Sequence, residues 1–367
     1  MKKPDAKPDC NICRSFMRFK VLGNTGLNVS ALGLGGHEYR WGHNGNLKNS
    51  RFTEMNPERR DVISRALDCG VNYFDTTYIE EVQSLGHWMS QLKTRNVMVI
   101  NGMIIDVVRR YAEQPLSKRS FVREELNARL KLLGSDHFDI FMLCSIEHGY
   151  NHQALDDVVD QYVRLKEEGK FRFLGVSCHD HAILLDCMKR DLPIDVAMFP
   201  YNFAVANNWG GQFGVLKELL EILSKRKTGC VAMKALNWFQ YGIPFMAFGE
   251  PDADWQTAVV NNFGWLAGQS SIDTSVVGVE TVAELQAALD GTRQKPDMGL
   301  LDKYLECGRQ FDLLLKNYGK CPAEIQGRAL GLIRHFTGQE FGDDIAQYER
   351  HWRKEMGRGV MPFSKIG

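Results

Sequence analysis

Two short segments concentrate the side chains that can move protons or hold metals. "CSIEHG" carries Cys144, Glu147 and His148, and "SCHDHA" carries Cys178, His179, Asp180 and His181. Histidine titrates near neutral pH and so serves as acid, base or metal ligand. A Cys/His/Asp set can bind zinc, but this spacing matches none of the standard zinc patterns, and Asp180 can equally cap a helix. No metal is assigned; His148 and His179, with Cys144 beside them, are read as candidate acid–base groups. A third segment, "VNYFDTTYIEE", ends an apolar run on Asp75 and continues through Tyr78 to Glu80 and Glu81. Asp75 and Tyr78 can form an acid and proton-donor pair, while paired glutamates also suit the first turn of a helix. His37 and Glu38 add further ligand chemistry. Trp209, Trp238 and Phe239 can wall a substrate pocket or simply pack loops.

These segments follow short apolar runs. "ALGLG" (31–35), "VNYFD" (71–75), "VMVI" (97–100) and "FDIFML" (138–143) read as strands buried on both faces. So do "FRFLGVS" (171–177), "VAMF" (196–199), "CVAMKAL" (230–236) and "TSVVGV" (274–279). Between them lie helical periods at 57–70, 121–134, 155–169, 214–226 and 282–291, several closing on glycine. Eight strand–helix units predict a (β/α)8 TIM barrel. A doubly wound open sheet is the alternative, disfavoured because no strand leads into a G-x-G-x-x-G turn. In a barrel, chemistry belongs at the C-terminal ends of the strands, where the three segments fall.

Composition bounds the function classes. Lys+Arg and Asp+Glu are 45 each in 367 residues, so no global field points to nucleic acid or an anionic membrane. No apolar run approaches the ~20 residues that span a bilayer. The opening "MKKPDAKPDCNICRSF" has no apolar core of the kind a secretory signal needs. The nine cysteines are therefore expected as reduced thiols or metal ligands in a cytoplasmic protein. Oligomeric state is not legible.

"MRFKVLGNTGLNVSALGLGG", "GVNYFDT", "LNARLKLLGSDHFDIFML", "EEGKFRFLGVS", "YNF", "VAMKAL" and "SVVGVETVAELQAAL" occur in the order they take in the aldo-keto reductases. The chain resembles that family over roughly residues 17–290. The resemblance implies a barrel that binds NAD(P)H at its top and interconverts carbonyls and alcohols through an Asp, Tyr, Lys and His tetrad. Asp75 matches the acid. The tyrosine position falls on Glu80, with Tyr78 two residues early. The lysine position falls on Gly102 and the histidine position on Cys144. Of the family's contacts to the nicotinamide carboxamide, Ser177 is kept, Cys178 replaces an Asn and Met198 replaces a Gln. The resemblance places the cofactor on Gly36, Ser177, Met233, Lys234, Gly278 and Glu280. Glu280 offers no cation to a 2′-phosphate. A tyrosine without the lysine and histidine keeps a pKa of about 10, so the usual carbonyl reduction is expected to be absent or slow. Asp75, deprived of a lysine, is expected either to titrate well above the ordinary carboxylate value of about 3.9 or to recruit a new partner such as Lys234 or a histidine, the alternative being that it only caps the amides of Thr77 and Tyr78.

Three units are expected: an arm over 1–16, the barrel over 17–296 and a helical extension over 297–367. The extension resembles the tail of a ferredoxin-like branch, with Cys307 and Cys321 but without the intervening cluster cysteines. An intact iron–sulfur cluster is not expected, since it would need Cys10 and Cys13 as well. The expected function is that of an atypical oxidoreductase on a small carbonyl or alcohol, sugar-like substrates included, with a remodelled site. A non-redox lyase or isomerase in the same pocket and a noncatalytic member remain alternatives.

Overall fold

The described part of the chain begins with an antiparallel hairpin, Phe19–Val21 against Asn28–Ser30. Its Leu22, Leu27 and Val29 pack with the side chains inside the barrel, so the hairpin plugs the mouth at the strands' N-terminal ends. Gly23 makes this fit possible. It has a left-handed φ of +48°, and a Cβ there would lie 2.2 Å from the amide nitrogen of Gly229. This computed structural model describes residues 17–36, 57–114, 120–207, 213–238, 243–244 and 255–306, with scattered positions between 317 and 347.

Eight parallel strands follow: β1 (Leu32–Leu34), β2 (Tyr73–Asp75), β3 (Val99–Ile105) and β4 (Phe138–Cys144). They continue with β5 (Phe171–Ser177), β6 (Val196–Pro200), β7 (Gly229–Met233) and β8 (Thr274–Val277). Each pairs with its sequence neighbour, and β8 closes onto β1 through Val276 opposite Gly33. This is the (β/α)8 barrel that the alternation of runs predicts.

Alternation along the strands separates two cores. Tyr73, Val99, Met103, Ile140, Met142, Cys144, Met198, Val231 and Met233 fill the barrel. Phe74, Ile100, Phe141, Leu143, Leu174 and Val176 face outward onto helix residues such as Val82, Leu126, Val158 and Leu184. Helix ends follow local signals: Asn151 caps His152–Glu167 by accepting from Ala154 N, and Gly134 closes Phe121–Leu133 at φ +69°.

One boundary changes the site. The third strand runs on to Ile105, past the 97–100 read from the sequence, because "NGMII" keeps its ladder as far as Ile105 opposite Cys144. Asn-Gly reads as a turn signal. Here Gly102 is tolerated inside a strand because the Phe138 ring fills the space where a side chain would sit, 2.7 Å from an added Cβ. The exit of β3 is therefore Asp106, not the segment 101–103. Among the described residues no helix is long and apolar enough to cross a membrane.

Candidate functional site

Asp75 ends β2 and is buried. The residue facing it across the ladder is Asn101, its register partner in β3. The Asn101 amide donates to Asp75 Oδ1 at 2.6 Å and also approaches Met142 Sδ at 3.6 Å. Gly102, on which the family's lysine position falls, looks outward to Phe138 and does not face Asp75. A neutral amide is thus one partner Asp75 has found. Asp75 does not cap Thr77: that amide donates to Glu81 Oε2 at 2.7 Å.

Tyr78 is half-buried and takes the N-cap position of the helix Ile79–Leu92, where its carbonyl accepts from Glu81 N and Val82 N. Of the paired glutamates, Glu80 is exposed and Glu81 buried. Gly36 lies against this corner: a Cβ on it would stand 2.3 Å from Glu81 Oε2 and 3.0 Å from the Asp75 carbonyl.

A second group forms where β3, β4 and β5 end. Asp106 and Ser145, the first residues beyond β3 and β4, hold left-handed φ of +53° and +55°, and Lys234, just beyond β7, holds +56°. Such conformations are sparsely populated outside glycine, and they turn the chain sharply off each strand. The turn from Ser145 closes with His148 N donating to Ser145 O, and it swings Glu147 and His148 to opposite partners. His148 Nδ1 lies 2.7 Å from Asp106 Oδ1, and Arg109 also pairs with Asp106. His179 Nδ1 lies 2.7 Å from Glu147 Oε1.

The electrostatics separate the two pairs. Burial works to raise Glu147, but the His179 hydrogen bond and charge outweigh it and hold the carboxyl at about 2. His179 moves down from its ordinary value, driven by burial and the Lys234 ammonium against the pull of Glu147. His148 moves up, chiefly through its bond to Asp106. Asp106 stays below the usual carboxylate range because His148 and Arg109 overcome its burial. Burial pushes the Cys144 thiol up to about 12 and raises Cys178 well above normal, so neither is a ready nucleophile.

Ser177 is buried at the end of β5, beside Cys144 in the strand ladder. Met233 lies inside the barrel at the end of β7. The Lys234 carbonyl accepts from the buried side-chain amide of Asn202. Gly278 and Glu280 lead into the helix Val282–Arg293, which carries a capping box between Thr281 and Glu284. There Glu284 Oε2 accepts from the amides of Glu280 and Thr281, at 2.7 and 3.2 Å. Asp180 is the N-cap of His181–Lys189, accepting from Ala182 N and Ile183 N. The His181 ring is fully buried, with Nε2 2.8 Å from the Pro200 carbonyl, so it is structural. A cleft of about 540 Å³ opens along the helix Phe213–Arg226 and reaches Tyr201, which stacks on Trp265.

Among the described residues no three Cys, His, Asp or Glu side chains converge as a metal site. His37, Glu38, Trp209, Phe239, Cys10, Cys13 and Cys307 lie outside the described residues, as does the side chain of Trp238. Sequence reading missed Asp106 because the third strand was ended too early. It named Glu147 but did not pair it with His179, since nothing local signals that contact.

A closed parallel barrel with titratable groups gathered at its strand exits defines a TIM-barrel protein of the enzyme-bearing kind. Residues 31–238 match the Aldo/keto reductase family, and the chain belongs to it. It is 26% identical to L-galactose dehydrogenase of Arabidopsis thaliana over 227 residues, 60% of this chain and 66% of that one. It is 21% identical to an uncharacterised oxidoreductase of Bacillus subtilis over 50% of this chain and 56% of that one. The chain thus spans less than two thirds of the length of either relative. Among solved structures, a putative aldo-keto reductase of Pseudomonas aeruginosa superposes with TM-score 0.54 at 22% identity, covering 75% of this chain and 94% of that one. An aldo-keto reductase of Bacillus halodurans in its holo form also gives 0.54, at 15% identity over 79% and 96%. At those identities the structures speak for the fold.

Proposed function

We propose that this chain is an oxidoreductase that interconverts the alcohol and carbonyl of a small, sugar-like substrate with a nicotinamide cofactor. The observation that carries the reading is the gathering of Asp75, Glu147, His148, His179 and Lys234 at the strand exits β2, β4, β5 and β7, the face on which barrel enzymes work. The similarity to L-galactose dehydrogenase supports a polyhydroxy substrate. Proton transfer is assigned to this face through Asp75, Tyr78, His148 and His179, with the Cys144 thiol as a neutral wall.

The donor set fits a dinucleotide without a 2′-phosphate. Ser177 offers a buried hydroxyl for the ring end. The reading assigns Lys234 to the cofactor as a cation and Gly36, Met233 and Gly278 as residues along it. It assigns Glu280 to the 2′ end, where a 2′-phosphate would need a cation; the neighbouring Glu284 accepts from the Glu280 and Thr281 amides. When bound, the cofactor supplies the hydride acceptor or donor. The chain's own residues orient the substrate and move its proton.

A second reading, a lyase or isomerase without hydride transfer, is favoured by one observation. The side chain opposite Asp75 in the ladder is a neutral amide, Asn101, and no cation. Calorimetric titration of the full chain with NADH and NADPH decides between them. Binding of either below millimolar supports the oxidoreductase, and binding of neither at millimolar concentration removes it. L-Galactose with NAD⁺ is the first substrate probe.

A further inference from the structure

The two histidine–carboxylate pairs at the exits of β4 and β5 are chemically unequal, and the difference assigns a role. We propose that His179, oriented by Glu147, is the base that takes the hydroxyl proton of an alcohol substrate, so that the enzyme runs as a dehydrogenase. Glu147 is the positioning residue. The inference rests on the oxidoreductase reading above and deepens it.

The geometry fixes the tautomer. Glu147 is 11% exposed and ionised, so it can only accept. The hydrogen on its 2.7 Å contact with His179 therefore sits on Nδ1. In the neutral ring this leaves a lone pair on Nε2. The His179 side chain is 31% exposed, so the ring is reachable while its partner is covered. A buried carboxylate behind an accessible imidazole is the arrangement that orients a general base and steadies the imidazolium it becomes. The charged and titratable groups around His179 are Glu147 and His148 from the β4 exit, Lys234 from the β7 exit and Cys178 beside it in the chain. Lys234 and His148 oppose a standing positive charge on the ring; Glu147 favours it.

The other pair is poised differently. His148 shares Asp106 with Arg109, and its side chain is 40% exposed. Asp106 favours its charged form, which has no lone pair to give. Of the other candidates, Tyr78 holds the N-cap position of its helix through its backbone, and Asp75 accepts from the Asn101 amide.

The step balances simply. His179 Nε2 forms a bond to the hydroxyl proton as the O–H bond breaks, and the oxygen lone pair becomes the second C–O bond. A bound oxidised nicotinamide, which Ser177 and Lys234 would hold, would supply the acceptor for the electron pair of the carbinol C–H as hydride. The substrate would be left as the carbonyl compound and His179 as an imidazolium, which would pass its proton to solvent.

The test has two arms, both on the full-length protein. In the first, long-range ¹H–¹⁵N spectra are recorded from pH 6 to 9 without cofactor, with His179 assigned by comparison with His179→Gln. The expected result is a neutral ring protonated on Nδ1 at pH 7.5, and a mixture of tautomers in Glu147→Gln. A ring protonated on Nε2, or an imidazolium, at pH 7.5 overturns the proposal whether or not any substrate is known. In the second arm, oxidation of L-galactose, D-galactose, glycerol and xylitol is followed with NAD⁺ and NADP⁺. His179→Gln is expected to lower kcat about a hundredfold or more with little change in KM. Glu147→Gln is expected to lower it less and to displace the acidic limb of the pH–rate profile. Turnover in His179→Gln within threefold of the parent overturns the proposal while leaving the oxidoreductase reading intact. Failure of both nicotinamides to bind in calorimetry overturns that reading, and the dehydrogenase step with it.

Discussion

Replacing Glu147 by Gln removes one charge and keeps both the side chain's size and an acceptor for His179 Nδ1–H. In the folded protein the carboxyl sits at about 2, against an ordinary 4.5. Each tenfold change in proton affinity is worth about 1.4 kcal/mol, so ionised Glu147 contributes about 3 kcal/mol to stability at pH 7. The sign follows from the direction of the shift. A carboxyl depressed in the folded state stabilises above its unfolded pKa of 4.5, and that contribution is lost as pH falls toward 2. At pH 3 about 2 kcal/mol of it is already gone. His179, also depressed, acts in the same sense through a higher window, below its ordinary 6.5. Urea unfolding of both proteins, followed by tryptophan fluorescence and far-ultraviolet circular dichroism at pH 7, 5 and 3, measures the difference. The expected gap is about 3 kcal/mol at pH 7, narrowing to about 1 kcal/mol at pH 3. A gap below about 0.5 kcal/mol at pH 7, or one that stays flat to pH 3, refutes the claim that the carboxylate is held by its histidine.

Asn101→Leu keeps the volume inside the barrel but deletes the 2.6 Å hydrogen bond to Asp75. A loss of about 1 kcal/mol is expected, the usual net worth of a side-chain hydrogen bond, and an unchanged denaturation midpoint contradicts it. Cofactor choice follows from Glu280 and Glu284: NADPH should not outbind NADH by a hundredfold, about 2.7 kcal/mol, and Glu280→Arg should shift the ratio toward NADPH in the same titration. Thiol accessibility follows from burial. Ellman's reagent at pH 8 should spare Cys69, Cys144, Cys178, Cys187 and Cys230 in the folded protein and reach the partly exposed Cys321, so rapid labelling of Cys144 by mass mapping counts against the described site.

The barrel was legible because its signal is repeated and local. Eight apolar runs of strand length alternate with helical periods, and each strand buries both faces. The Asp180 cap was legible for the same reason, a polar side chain directly before a periodic segment. Contacts set by strand register were not. Ending β3 at residue 100 hid Asp106, because the ladder runs on to Ile105 opposite Cys144, and it left Asn101 unrecognised as the register partner of Asp75. A slip of one residue in a strand exchanges the inward and outward faces, so a site built on strand ends inherits the whole error. The Glu147–His179 pair spans 32 residues and two strands, and no periodicity announces such a contact.

The scaffold and the strand ends answer to different constraints within one chain. The barrel's stability rests on apolar layers, Met103, Met142, Met198 and Met233 inside and the Phe141, Tyr162 and Phe171 rings outside, and the residue opposite Asp75 meets them at Met142, 3.6 Å from the Asn101 amide. Asn101 stands opposite Asp75 within the packed strand and gives its buried carboxyl a hydrogen-bond donor. Proton transfer is then free to move to another strand exit, because every exit opens on the same face. Glu147 and His179 occupy the next two exits but one, on turns whose left-handed Ser145 aims the carboxylate across to β5. Asn101→Lys would place a cation beside Asp75, on a different strand exit from the Glu147–His179 pair. If proton transfer has moved to His179, this substitution should leave the pH–rate profile of alcohol oxidation unchanged. If Asp75 still directs the chemistry, the profile should shift, and the assignment to His179 fails.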